Sequence, residues 1–223
     1  MRNITIIVAG GAGTRFGAAL PKQFLLLAGR PVLMRTLEAF DTHSHEIVLV
    51  LPEAHQTLWR QLCEQYGCAV EHRVVAGGDT RWQSVKNAID TLDVDTGDVI
   101  AVQDGVRPLL SESLVDRAFA VARERGSAVP VVPVTDSIRQ VDDDGASHIV
   151  PRHVLRAVQT PQAFDAIALK AAYARPYLPI YTDDASVFEM AGHAVTLIDG
   201  ETDNIKITHP GDLMVAEKLL KHE

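Results

Sequence analysis

Positive charge is scarce in this chain of 223 residues: 21 lysines and arginines stand against 29 acidic residues, a formal net charge of -8. That balance excludes a general nucleic-acid or membrane surface, which would show a basic patch or stripe. An anionic ligand must therefore meet locally arranged charge. Cysteine is scarce too. Cys63 and Cys68 are the only two, without C-x-x-C or metal-finger spacing, so structural thiols in a reduced intracellular protein are expected. The nine histidines contain no H-E-x-x-H and no paired metal spacing. No run approaches the ~20 apolar residues that span a bilayer, and the first residues lack the apolar core of a signal peptide. The expectation is a soluble cytoplasmic protein with neither membrane nor nucleic acid as partner. Repeats, low-complexity segments and long linkers are absent. With 47% hydrophobic residues, residues 1–223 can bury one core as a single domain.

What is present begins with Ile4-Thr5-Ile6-Ile7-Val8, a β-branched run too short for a helix, which ends in Ala9-Gly10-Gly11-Ala12-Gly13-Thr14-Arg15-Phe16-Gly17. This pattern predicts a buried strand entering a tight turn. Glycines let backbone N–H groups converge on phosphate oxygens. Arg15 and Lys22 add charge, the first as a planar fork of donors and the second as a mobile point charge. The spacing excludes a Walker loop, because no glycine is followed by Lys-Ser or Lys-Thr, and G-x-G-x-x-x-G is not the dinucleotide fingerprint. The glycines alone fit a ligand-free strand-to-helix turn as well as a nucleotide site, and the nearby Arg15 and Lys22 favour the nucleotide site.

Further along, short apolar runs alternate with helical patterns. Strands are predicted at Ile47 to Leu51, Ala69 to Val75, Asp98 to Gln103 and Ser127 to Pro133, and near Val195 to Ile198. Helices are predicted from Pro31 to Phe40, from Pro52 to Gly67, through Trp82, Val85, Ile89 and Leu92, around Asp165 to Ala174 and Thr182 to Met190, and from Pro210 to Leu220. Such alternation implies an α/β fold, a doubly wound, mostly parallel sheet of Rossmann-like type, with ligands beyond the carboxyl ends of the strands. The glycine loop, Gly77-Gly78-Asp79 and Asp104-Gly105-Val106-Arg107-Pro108 all follow strands and should gather at one edge. Val134 to Val158 instead alternates around Asp142-Asp143-Asp144-Gly145, a hairpin turn signal. An isolated hairpin is marginal in water, so 134–158 is read as a protruding β-arm that packs on another surface, such as a second subunit.

Asp104, at a strand end with Arg107 beside it, is suited to a magnesium ion held by a few carboxylates and substrate phosphates; the alternative is an Asp that caps the next turn. Asp79 and Ser84, at the start of a helix, are read equally well as a cap or as ligand contacts. Thr182-Asp183-Asp184-Ala185-Ser186 is first of all a helix start, and Lys206 taken alone is a solvated lysine.

Taken in order, the glycine loop with Arg15, Pro21-Lys22-Gln23-Phe24, Gly77-Gly78-Asp79-x-Arg81-x-x-Ser84-Val85, Asp104-x-x-Arg107-Pro108, Gln159-Thr160-Pro161-Gln162, Thr182-Asp183-Asp184-Ala185-Ser186 and Asp203-Asn204-Ile205-Lys206 resemble the 2-C-methyl-D-erythritol 4-phosphate cytidylyltransferases. The ordered set runs through almost the whole chain. The resemblance implies attack of methylerythritol phosphate on the α-phosphorus of CTP, with Mg²⁺ as cofactor, in a homodimer. It implies that Ala9, Gly10, Gly11 and Gly13 wrap CTP and that Gly78, Asp79 and Ser84 hold its cytosine and ribose. Arg15 and Lys22 would stabilise the α-phosphate, Asp104 would sit by the metal, and Lys206 would lie near the triphosphate and the sugar phosphate. Arg107, Thr182 and Asp183 would touch the acceptor, while Ser137 and Arg152 on the arm would reach the partner's substrate. Gly10-Gly11, Gln103-Asp104-Gly105-Val106-Arg107 and Ser137 depart from the commonest family pattern. D-ribitol 5-phosphate cytidylyltransferases share the loop, as do sugar-1-phosphate nucleotidyltransferases. A silent nucleotide-binding protein would have lost Arg15, Lys22 or Asp104.

Overall fold

The computed structural model describes residues 1–10 and 20–220. The chain enters as β1 (Asn3–Val8), and a 3₁₀ turn at Lys22–Phe24 leads to a small ribbon of β2 (Leu26–Leu27) and β3 (Arg30–Pro31). Next come α1 (Val32–Glu38), β4 (Glu46–Leu51), α2 (Glu53–Tyr66), β5 (Arg73–Ala76), α3 (Arg81–Ile89), β6 (Val99–Asp104), α4 (Glu112–Arg125) and β7 (Ser127–Pro133). The second half holds β8 (Ile138–Val141), β9 (Ser147–Val150), β10 (Arg156–Val158), β11 (Gln162–Asp165), α5 (Ala166–Tyr173), α6 (Asp184–Met190), β12 (Leu197–Asp199) and α7 (Pro210–Leu219).

Among the described residues, eight strands form one sheet in the order β10-β7-β11-β6-β1-β4-β5, with β12 also on β7. β4, β1 and β6 run parallel, as do β4 and β5, whereas β11 lies antiparallel between β6 and β7. Alternation along each strand divides the core. Ile7, Leu49 and Ala101 face α1, α2 and α4 through Leu33, Trp59 and Val115. Ile6, Val48 and Ile100 face α3, α5 and α6 through Val85, Leu169 and Phe188. Successive side chains on a strand point to opposite faces, so helices on both sides need strands that are apolar throughout. A third cluster, with Leu27, Val106, Ile207 and Ala216, seats the chain after β6 against the one before α7.

Three departures from the sequence reading have physical causes. The third strand begins at Arg73 rather than Ala69, because His72 Nδ1 bonds the Val70 carbonyl at 2.8 Å while its Nε2 accepts from Trp59 at 2.9 Å. Residues 70–72 thus close on themselves instead of joining the ladder. β11 is a strand where only a Gln-Thr-Pro-Gln motif was read; its burial depends on neighbours far away in the chain. The alternating stretch 134–158 divides: β8 and β9 pair only with each other around the Asp142–Gly145 turn, whereas β10 joins the main sheet on β7. On that hairpin Val141 is 68% and Ile149 78% exposed.

Candidate active site

The carboxyl ends of β1, β5 and β6 open on one cavity of about 460 Å³, lined by Ala9, Gly10, Lys22, Gln23, Gly78, Asp79, Arg81, Ser84, Asp104 and Lys206 among others. The loops converge through the ladder itself. Ala9 N–H donates to the Val50 carbonyl at 3.0 Å, Gly77 N–H to Leu51 at 2.9 Å and Gly105 N–H to Val8 at 2.9 Å. Close approach demands the last glycine, since a Cβ on Gly105 would stand 2.9 Å from both Ala9 Cβ and Leu33 Cδ1.

On one wall, Thr80 caps α3, its side chain accepting from Gln83 N–H at 3.0 Å. Asp79 is thereby relieved of the capping role and stands exposed at the cavity. Ser84, buried one turn inward, accepts from Gly78 N–H at 3.1 Å and fixes the glycine turn. The opposite wall is the turn at Lys22–Phe24. Gln23, 1% exposed, donates to the Ala9 carbonyl at 3.0 Å, and Lys22 Nζ donates to the Ile207 carbonyl at 2.9 Å.

Asp104 is the electrostatic centre. Lys206 Nζ lies 2.8 Å from Oδ2, Arg107 Nε 3.6 Å from the same oxygen, and Arg81 Nε 3.6 Å from Oδ1. Burial would raise the carboxyl pKa, but Arg81, then Lys206 and Arg107, hold it down at about 2. Burial dominates at Arg107, whose pKa is lowered despite Asp104. At Arg81 the reverse holds: two carboxylates, Asp184 and Asp104, outweigh burial and raise it. At neutral pH Asp104 is therefore an ionised carboxylate among cations rather than a turn cap.

Of the other candidates, Arg107 reaches the site through Asp104. Asp183 is the N-cap of α6, with Oδ1 accepting from Ser186 N–H at 2.9 Å, and its Oδ2 accepts from Gln162 at 2.9 Å. Thr182 is exposed beside it, with its N–H donating to Ser186 Oγ at 3.1 Å. Neither lines the cavity. Ser137 and Arg152, within 134–158, are exposed and do not line this cavity, and Arg152 Nη1 donates to the Thr135 carbonyl. Gly11, Gly13 and Arg15 lie outside the described residues.

Sequence reasoning assigned no role to Arg81 or Asp184, although both stood inside quoted motifs. Asp184, fully buried, accepts from Arg81 Nη2 and from Tyr173 Oη, both at 2.6 Å. Burial, with Asp184 next, raises the Tyr173 hydroxyl well above its ordinary value. An Asp after an N-cap Asp reads as dipole complement, and nothing local reveals its partner.

The family model for 2-C-methyl-D-erythritol 4-phosphate cytidylyltransferase matches residues 3–222. The chain belongs to this family. It is 46% identical to the enzyme of that name from Bacteroides fragilis over 222 residues, 99% of this chain and 100% of that one. Identity to the Porphyromonas gingivalis enzyme of the same name is 48% over 220 residues, 98% of each chain. The fold is similar to the crystal structure of 4-diphosphocytidyl-2C-methyl-D-erythritol synthase from Anaerococcus prevotii, with a TM-score of 0.82 at 29% identity over 99% of this chain and 96% of that one. The Thermus thermophilus cytidylyltransferase gives 0.80 at 32% identity over 99% and 100%. The family's enzymes are nucleotidyltransferases that convert CTP and methylerythritol 4-phosphate to the cytidyl diphosphate product and pyrophosphate, in the non-mevalonate isoprenoid route. They use a divalent cation. Among the described residues no group of three or more His, Cys, Asp and Glu could hold a metal, and no helix is long and apolar enough to cross a membrane. One ionised carboxylate facing a cavity still fits a hard cation that completes its coordination with substrate phosphates.

Proposed function

We propose that this chain catalyses cytidylyl transfer from CTP to methylerythritol 4-phosphate in the cavity above β1, β5 and β6, as a homodimer with Mg²⁺ at Asp104. The observation that carries this reading is Asp104, buried and ionised, with Lys206, Arg107 and Arg81 disposed around it. Such a cluster suits a polyanion better than a neutral sugar, because cations already in place need no reorganisation when charge develops.

In this reading Ala9, Gly10, Gly11 and Gly13 wrap the nucleotide, and Gly78, Asp79 and Ser84 take its base and ribose. Arg15 and Lys22 stabilise the α-phosphate, Lys206 bridges triphosphate and acceptor, and Arg107, Thr182 and Asp183 meet the acceptor. Ser137 and Arg152 come from the arm of the partner. The acceptor phosphate is already anionic, so no general base is needed. One of its oxygens bonds to the α-phosphorus as the bond to the bridging oxygen breaks, and that electron pair leaves on pyrophosphate. Positioning and charge neutralisation then carry the catalysis. Mg²⁺ bound at Asp104 supplies neutralisation of the phosphate charge.

The test is pyrophosphate release from CTP and Mg²⁺ with methylerythritol 4-phosphate and ribitol 5-phosphate as parallel acceptors. Preference for methylerythritol phosphate is the expected result. Preference for ribitol phosphate would overturn the acceptor assignment, and release with neither would overturn the enzymatic reading.

A further inference from the structure

Lys206 is delivered to Asp104 by residues 200–207, a stretch that follows β12 and contains no helix or strand. Its own backbone bonds are few: Gly200 N–H to Val131 at 2.9 Å, Asn204 N–H to Glu201 at 3.2 Å, Ile205 N–H to Asp203 at 2.7 Å and Ile207 N–H to Val106 at 2.9 Å. Side chains supply the rest: Lys22 Nζ donates to the Ile207 carbonyl at 2.9 Å and Thr208 Oγ1 to the Lys206 carbonyl at 3.0 Å, while two buried side-chain amides hold the turn at 201–204. Gln159, 6% exposed, donates from Nε2 to the Glu201 carbonyl at 2.7 Å and accepts at Oε1 from Glu201 N–H at 3.0 Å. It pairs with both backbone groups of Glu201 as a neighbouring strand would. Asn204, fully buried, donates from Nδ2 to the Thr160 carbonyl at 2.8 Å, and its own carbonyl accepts from Arg107 Nη1 at 2.7 Å.

Thr160 closes the circuit, because its Oγ1 accepts from Asp104 N–H at 3.1 Å. The backbone of Asp104 is therefore tied through Thr160 to Asn204, and two residues later Lys206 returns to the carboxylate of the same Asp104. Two features argue that this circuit does more than stabilise the fold. Asn204 Oδ1 is buried without a partner among the described residues, a defect that costs about 1–3 kcal/mol and that an apolar side chain would avoid. Gly200 is also needed there, since a Cβ would stand 2.4 Å from Gln159 Oε1 and 3.1 Å from the Val131 carbonyl.

We propose that Gln159 and Asn204 are positioning residues for Lys206, fixing the backbone from which its ammonium reaches the reacting phosphates. The proposal rests on the role given to Lys206 above. A lysine has a flexible stem, so its placement depends on where its backbone is held, and a misplacement of about 1 Å can cost on the order of 100-fold in rate.

The experiment is a double-mutant cycle of Gln159→Met with Lys206→Ala, read as kcat and as KM for CTP, with thermal unfolding recorded for each variant. Lys206→Ala alone tests the underlying role: kcat near the starting value would remove it whatever Gln159 does. Given the expected loss of about 100-fold there, Gln159→Met alone should lower kcat about 10-fold or more with KM for CTP within about 3-fold. On the Lys206→Ala background the same change should alter kcat by less than about 2-fold. A full-sized effect on both backgrounds overturns the proposal, as does unchanged kcat in folded Gln159→Met. Gly200→Ala removes no polar group but crowds Gln159, and it should reproduce the pattern; it carries the same test should Gln159→Met not fold.

Discussion

Arg81 Nη2 donates to Asp184 Oδ2 at 2.6 Å across 103 residues of chain, joining the first residue of α3 to the first residue of α6. Asp184 is wholly buried, whereas the Arg81 side chain keeps 29% exposure at the cavity wall, where it also faces Asp104. The pair fixes an arginine that would otherwise sample many rotamers. Asp184→Asn keeps an acceptor for Tyr173 but removes the charge opposite Arg81. Losing one partner of a buried pair should cost about 3 kcal/mol, measured by denaturant unfolding. A loss below about 1 kcal/mol would mean that Asp104 alone suffices to hold Arg81.

If Lys22 stabilises the α-phosphate as proposed, Lys22→Ala should leave the fold intact and lower turnover by about 100-fold or more, because it removes charge from the transition state. The change also removes the hydrogen bond to the Ile207 carbonyl at 2.9 Å. Circular dichroism and steady-state turnover measured together decide the matter. Normal turnover in a folded variant would remove Lys22 from the chemistry.

What was legible in the sequence follows from how local each signal is. Strand β1, α2 with Gly67 as its left-handed end, and Asp104 at the end of β6 were all readable, because pattern and punctuation lie within a few residues of each other. Asp79 could not be separated from a cap until Thr80 was seen to hold that position. The Arg81–Asp184 pair, the Gln159–Asn204 circuit and strand β11 were not assigned from the sequence. Each depends on which segments the sheet order β7-β11-β6 brings together, and side-chain amides that replace a β-ladder leave no periodicity.

A pH dependence of stability is expected from Asp98, far from the site. It is 1% exposed and accepts from Asp95 N–H at 3.1 Å, from Arg2 N–H at 2.7 Å and from Arg2 Nη2 at 2.7 Å. Burial raises its pKa, but these donors together lower it to about 2. A depressed carboxylate stabilises the fold fully above its unfolded value of about 4 and loses that contribution as pH falls towards 2. The native chain should therefore exceed Asp98→Asn by on the order of 2 kcal/mol at neutral pH, with the gap narrowing between about pH 4 and 2. A gap that stays constant with pH would mean that hydrogen bonding, not charge, carries the contribution.

The arm gives the sharpest test of assembly. Val141 and Ile149 on β8 and β9 are 68% and 78% exposed, and Arg152, exposed just after β9, does not line this chain's own cavity. If a site takes Lys22 from one subunit and Arg152 from its partner, Arg152→Ala and Lys22→Ala homodimers each carry two damaged sites. A mixed dimer then carries one site with both residues intact, built from the Lys22 of the first variant and the Arg152 of the second. Coexpression with random pairing makes half of the dimers mixed, so about a quarter of all sites should be whole. Turnover should rise to about that fraction of the unmutated enzyme, well above the mean of the two variants measured apart. No gain on coexpression, with mixed dimers demonstrated by differently tagged chains, would confine Arg152 to its own subunit. The exposed valine and isoleucine of the hairpin would then need a different cover.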